Sequence, residues 1–333
     1  MLQERPLVLS FITLFAFYFQ VAAQQAKEDS LRQRRDQMTQ WAALRYPAMR
    51  MAVVEVETAG SAHYTSQLYG KDFLKGSMRP KSSVRALFNI PVLTSGSQEL
   101  SVLAAYNSQE MTLRKTVNQA PQAQVNDGTY TIQSLSLGLN YKRTDTLFHK
   151  PLIWGGTLLT NTSLQSSYVR ATGVVYGVIP LKTTRTTRIF AGLAVVIDPS
   201  NIIPVIPTFS YWHSFGSTPW EINIDLPTRA LLRRTVFSKG LLSIGTELTS
   251  RTLLRKIDQP PFQGGFAFRD LTLKNGVTLE YPVARKVLIG CSGGLLYTAQ
   301  YRMVDPGKRI NDYVVGVKRD PSPYFNISIS FLR

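Results

Sequence analysis

A chain of 333 residues with 44% hydrophobic, 11% aromatic and 18% charged content has ample apolar surface to bury, which excludes a disordered chain and a small disulfide-stapled scaffold. No internal run approaches the roughly 20 apolar residues of a spanning helix, so a polytopic helical membrane protein is excluded as well. Lys and Arg number 38 against 21 Asp and Glu, a formal net charge of +17, and the single Cys291 cannot form an intramolecular disulfide.

Arg5 opens a short charged region, Leu7 to Ala23 is apolar apart from Ser10, Thr13 and Gln20, and Val21-Ala22-Ala23 offers small residues to a signal peptidase. Residues 1–23 are therefore expected to be an export signal cleaved after Ala23. An uncleaved anchor helix is the alternative reading of the same stretch. Residues 24–46 mix helix formers with charge and lack strand alternation, so they read as one polar helix ending before Pro47. The segment 24–48 is expected to be a periplasmic lead-in, and 49–333 a single β-domain.

From there the chain is a series of short runs rich in Val, Ile, Leu, Thr, Tyr and Gly, separated by turn residues. Leu135, Leu137, Leu139 and Tyr141 alternate with Ser134, Ser136, Gly138 and Asn140, as the two-residue period of a strand requires. Ile222, Ile224 and Leu226 oppose Glu221, Asn223 and Asp225; Leu271, Leu273, Val277, Leu279 and Tyr281 oppose Thr272, Lys274, Gly276, Thr278 and Glu280. The last run sets Phe325, Ile327, Ile329 and Phe331 against Asn326, Ser328 and Ser330.

A β-sandwich alternates too, but strands that cross a bilayer need about 9 to 11 residues, against about 5 or 6 in ordinary sheets. Residues 128–143 and 286–303 exceed even the larger figure. The fold class expected is all-β: an antiparallel, up-and-down transmembrane barrel of about fourteen strands, with twelve as the alternative. The strands fall near 50–58, 80–91, 98–111, 128–142, 151–161, 167–181, 187–197, 203–213, 219–226, 229–236, 240–252, 266–281, 286–303 and 322–333, and the ninth and tenth also read as one bent strand. Four connections are long, at 59–79, 112–127, 253–265 and 304–321, and all lie on one rim. That asymmetry places both termini in the periplasm and the long loops outside. Tyr106, Tyr130, Tyr141, Trp154, Tyr211, Trp212, Trp220, Tyr281, Tyr301 and Tyr324 fall near strand ends, as interfacial girdles require.

The signal, the serial amphipathic hairpins and the closing PYFNISISFLR resemble Gram-negative bacterial outer-membrane β-barrels. The stretch from Ile202 to Leu248, with its landmarks Pro204, Tyr211, Trp220 and Leu226-Pro227, is similar to an uncharacterised family of that kind, and the likeness extends over most of residues 50–333. It implies an outer-membrane address, contact with outer-membrane lipid and lipopolysaccharide, and insertion by the barrel-assembly machinery. Members usually end on an aromatic residue, whereas this chain ends Phe331-Leu332-Arg333, a departure that puts the terminal insertion signal in question.

No enzyme signature stands up in the sequence. Gly290-Cys291-Ser292-Gly293-Gly294 matches the serine-hydrolase elbow, but that device needs a strand, a turn and a helix with the histidine downstream. His63, His149 and His213 all lie upstream, within or between strand patterns. His213-Ser214 is the alternative hydrolase pair, although strand neighbours point to opposite faces. Isolated histidines and one cysteine provide no metal-ligand spacing, and no phosphate loop or cofactor motif is present.

Asn223, Asp225, Glu247, Lys274 and Glu280 are expected to line the interior, either along an open passage or in a network filling it. Lys71, Lys75, Arg79, Arg255, Lys256, Lys308 and Arg309 fall in the long loops, where lipopolysaccharide phosphates are the expected partner and a solvated surface the plain alternative. Nucleic acid is not expected as a partner. The function these features imply is passive solute passage or envelope structure, with an outer-membrane lipid hydrolase and a soluble sandwich binding acidic polymers as alternatives.

Overall fold

Alternation decides the architecture, because a run with one apolar and one small polar face can satisfy its backbone only by pairing on both sides. In the computed structural model, which describes residues 40–119, 125–165, 169–198, 204–259, 262–305 and 308–333, those runs are strands. They are β1 (Ala52–Ala59), β2 (Ala62–Leu68), β3 (Lys71–Ser95), β4 (Gln98–Asn118), β5 (Gly128–Leu147), β6 (Lys150–Ser163), β7 (Val169–Thr183) and β8 (Thr187–Ile197). The series continues with β9 (Val205–Ser214), β10 (Trp220–Leu226), β11 (Arg229–Val236), β12 (Gly240–Gln259), β13 (Phe262–Ala284), β14 (Val287–Val304), β15 (Tyr313–Arg319) and β16 (Ser322–Phe331).

From β3 to β14 each strand pairs antiparallel with the next. β1 and β2 lie end to end against β3, and β16 and β15 lie end to end against β14. β1 pairs with β16 and β2 with β15, so the ring closes with fourteen strand positions. Closure pairs every strand on both sides along the belt of the barrel, which is the condition for a sheet to survive in lipid; only at the tall rim do strand ends run on with one partner, as β12 does beyond Leu248. The ninth and tenth expected strands are separate: β10 and β11 pair antiparallel down to Asp225 opposite Arg229.

The faces are inverted relative to a water-soluble protein. Leu137 and Leu139 are 54% and 49% exposed on the outside of β5, whereas Ser134 and Ser136 are buried inside. Ile327 and Ile329 of β16 are exposed, while Asn326 and Ser330 are buried. On the rim carrying the short turns, the outward rings of Tyr141 and Trp154 meet edge to face at 5.8 Å. Tyr106, Tyr211, Trp220 and Tyr281 share the outward register. Tyr130, Trp212, Tyr301 and Tyr324 do not belong to a girdle. They turn inward, where Trp212 donates to Glu221 and Tyr324 lies under Lys274.

The four long connections are mostly not loops. β2 and the start of β3 occupy 59–79 around a tight turn at Tyr69-Gly70, both with positive φ (48° and 79°). β12 and β13 run on through most of 253–265, β4 continues to Asn118, and β15 occupies part of 304–321. Here the alternation changes meaning. Tyr64, Leu74, Met78 and Leu113 face inward while His63, Thr65 and Lys75 face water, so the outer face has the composition of a loop. The wall is consequently uneven, with 25 residues in β3 and 23 in β13 against 7 in β10 and 8 in β11.

Among the described residues, 40–50 with 332–333 form a unit of their own. The signal expected at 1–23 and most of the helix expected at 24–46 lie outside the described residues. Residues 40–45 are helical, and Arg50 Nε donates to the Ala43 carbonyl at 3.0 Å.

Candidate functional site

The inward faces of the strands form the candidate site, because alternation delivers every second residue there and many of those residues are polar. A charge placed there is tolerated only when it is paired. Glu57 of β1 accepts from Lys274 Nζ of β13 and, at 3.2 Å, from Arg251 Nη2 of β12, whose Nη1 donates to Ser83 Oγ at 2.8 Å. Three strands separate β12 from β1 along the wall, so Arg251 reaches across the interior rather than along it. Glu55 takes Arg85 at 3.4 Å and Asn326 at 3.3 Å. A small polar cavity beside this cluster is lined by Glu57, Gln109, Arg251, Asp270, Lys274 and Arg319.

On the low side of the wall, Asp225 accepts from Arg229 Nε at 2.7 Å and from Ser210. Glu221 accepts from Trp212 Nε1 at 3.0 Å, and Arg233 Nε donates to Ser243 Oγ at 3.2 Å. Asp198, just past β8, is shared by Arg170 of β7 and Arg269 of β13.

Towards the tall rim the interior turns apolar. Tyr64, Phe73, Leu74, Met78, Met111, Leu113 and Ile132, from β2 to β5, pack around Leu253 of β12, with Phe262 and Phe268 of β13 against them. The mouth on that side therefore holds a small hydrophobic core joining two parts of the wall that are not neighbours in the sheet.

All five residues expected in the interior lie on inward register positions. Asn223 and Asp225 face Leu231 and Arg229 on β11; Glu247 faces Arg229 on one side and Lys274 on the other; Glu280 is buried opposite Leu241 and Gly290. Of the basic residues, Lys71, Lys75, Arg79, Lys256, Lys308 and Arg309 are exposed. Arg255 is half-buried with its guanidinium 6.0 Å over the Tyr130 ring. Glu57, Arg251, Arg170, Asp198 and Arg269 were missed by sequence reasoning. Parity of spacing from Lys274 and Asp270 places Arg251's partner strand position inward, but no sequence pattern says which charges meet across the interior.

Neither hydrolase reading gains a site. His213 faces outward, with Nδ1 2.9 Å from Thr187 Oγ1 and its ring stacked on Tyr211, while Ser214 sits on the opposite face beside Glu221. Gly290 to Gly294 lie in the middle of β14, with no turn and no helix to expose Ser292.

No family model matches the chain, and no curated protein matches it. Among solved structures it is similar to an outer-membrane channel from Pseudomonas putida F1, at 11% identity and a TM-score of 0.36 over 85% of this chain and 96% of that one. It is also similar to OccK7 from Pseudomonas aeruginosa, at 9% identity and a TM-score of 0.32 over 84% and 98%. A third likeness is to the outer-membrane protease OmpT from Escherichia coli, at 7% and 0.26 over 85% and 96%. At such low identity and TM-score these likenesses say nothing about activity.

Proposed function

We propose that the chain is an outer-membrane β-barrel without enzymatic activity whose polar interior gives passive passage to small hydrophilic solutes. The observation that carries this reading is the inversion of faces: apolar side chains are exposed all round a closed sheet, and small polar and paired charged side chains are turned in. An interior built of Ser, Thr, Asn and paired charges offers water and ions replacement contacts, which a merely structural barrel does not need. With both ends of the barrel chain on the short-turn rim, that rim faces the periplasm in this reading. The tall rim then stands outside, where Lys71, Lys75, Arg79, Lys256, Lys308 and Arg309 meet lipopolysaccharide phosphates. Insertion falls to the barrel-assembly machinery.

Conductance of the refolded protein in planar bilayers tests the reading. Discrete, ohmic steps that grow with salt concentration are the expected result. Absence of steps in the wild type and in variants with a disrupted mouth leaves the envelope-structural role in its place.

A further inference from the structure

The upper end of the β12–β13 hairpin is buried on both faces, unlike a barrel wall, which has one face to lipid or water and one to the interior. Leu253 and Leu254 are consecutive and so point to opposite sides, yet they are 2% and 0% exposed. Phe266 and Ala267 repeat the pattern at 4% and 0%. One face is covered by the apolar cluster of β2 to β5 around Leu253 and, at Phe266, by Met303 of β14 and Val314 of β15. The other carries Arg269, in the alternation of Ala267, which donates to Asp198 at the end of β8; Arg170 of β7 donates to the same carboxylate. Four strands separate β8 from β13 along the wall, so this contact spans the mouth. β12 also approaches β5 and β6, neither of which is its sheet neighbour. A hairpin end covered on one side by β2 to β5 and tied on the other to β7 and β8 stands across the opening.

We infer that this hairpin end is the constriction of the barrel and that Asp198 is the residue that positions it, an inference that rests on the passage reading above. One carboxylate holds two guanidinium groups that are themselves buried, with side-chain exposures of 7% for Arg170 and 15% for Arg269. Neutralising Asp198 leaves two like charges facing each other away from water, a state relieved by moving the Arg269 strand out of the mouth. Opening by this route exposes the paired charges around Glu57 and Arg251 to small ions, so the solutes admitted are small and hydrophilic rather than apolar.

Three variants test it: Asp198→Asn, Arg269→Gln, which leaves Asp198 paired with Arg170, and Leu254→Asp, which forces a charge into a site of zero exposure without touching the ion pairs. Each is first checked for the heat-dependent gel migration of a closed barrel, and any variant lacking it is replaced in the comparison by the other two. Conductance several-fold above wild type in Leu254→Asp and in at least one ion-pair variant is the expected result. If Leu254→Asp opens the channel while Asp198→Asn and Arg269→Gln conduct like the wild type, Asp198 does not position the hairpin. If all three conduct like a conducting wild type, the hairpin is not the constriction. Should nothing conduct, the passage reading fails. Hydrogen exchange at the amides of 253–257 then judges the latch on its own: faster exchange in Asp198→Asn supports it, and unchanged exchange overturns it.

Discussion

At the scale of single residues, Asp127 shows how a charge outside the interior holds the fold. Its carboxylate accepts from the Thr116 amide at 2.9 Å and the Lys115 amide at 2.8 Å, clamping β4 where Lys115 takes a positive φ of 52°. The Thr116 amide first, then its hydroxyl and the Lys115 amide, hold the carboxyl below the usual carboxylate range. A lowered folded value means the clamp contributes fully above the unfolded value of about 4 and is lost as pH falls through the folded one. The protection of the Lys115 and Thr116 amides, taken as each exchange rate relative to the intrinsic rate at the same pH, is thus expected to be high at neutral pH and to fall in acid in the wild type, and to be low at both in Asp127→Asn; equal protection in the variant at neutral pH would mean that Asp127 does not clamp β4. Such a contact was not legible in the sequence, where 112–127 has only the composition of a loop. Interior residues were legible as a class, because parity along a strand assigns a face. The pairs Glu57 with Arg251 and Asp198 with Arg269 were not, since residues so far apart in the chain meet only through curvature of the whole sheet.

At the scale of the strand, two features explain what the pattern could and could not tell. The outward apolar rows were readable because lipid selects Leu, Ile, Val and Phe there, with few polar breaks such as Asn275, which Thr246 of the next strand satisfies. The extensions of β2 and β3 were not, because their apolar side faces an internal core and their visible face is polar like a loop; those of β12 and β13 were not, because both faces are covered there and Leu253-Leu254 and Phe266-Ala267 break the alternation. The glycines of β13 and β14 have a separate reason: a Cβ on Gly276 would sit 2.3 Å from the Gly293 carbonyl, and one on Gly294 2.0 Å from that of Asn275. At those two positions the backbones approach too closely for a side chain, which accounts for Gly294 in the run that mimics a hydrolase motif; at Gly290 of the same run a Cβ would meet the Ser328 hydroxyl, and at Gly293 there is room for one. The outward row gives a quantitative expectation. Leu139→Arg places a charge on the lipid side of β5, one outward position from Tyr141, and is expected to cost about 1–2 kcal/mol, between the values for the interface and the midplane, whereas Leu139→Phe stays within about 0.5 kcal/mol because nothing rigid confines the ring. Urea titration of the barrel folded in lipid vesicles measures both, and an equal effect of the two would place Leu139 away from the hydrocarbon.

For the molecule as a whole, stability in lipid depends on closure more than on any one contact. β16 pairs with β1 on one side and β14 on the other, so it is the strand that joins the beginning of the sheet to its end. Its alternation and the even strand count were legible in the sequence; the doubling of β1 with β2 and of β15 with β16 was not, because a break of two residues in a strand has no signature distinct from a turn. If closure is what makes the chain resist detergent, the unheated full-length protein runs as a compact species on a denaturing gel and slows after boiling. Removal of residues 322–333 leaves two unpaired edges, and the compact species is expected to disappear. Removal of Arg333 alone keeps every ladder bond and is expected to leave it intact. A full-length protein that migrates identically before and after boiling, and stays in the aqueous fraction without detergent, would mean that the exposed apolar belt meets something other than lipid. The soluble alternative would then have to explain how so many leucines and isoleucines stand outside a closed sheet.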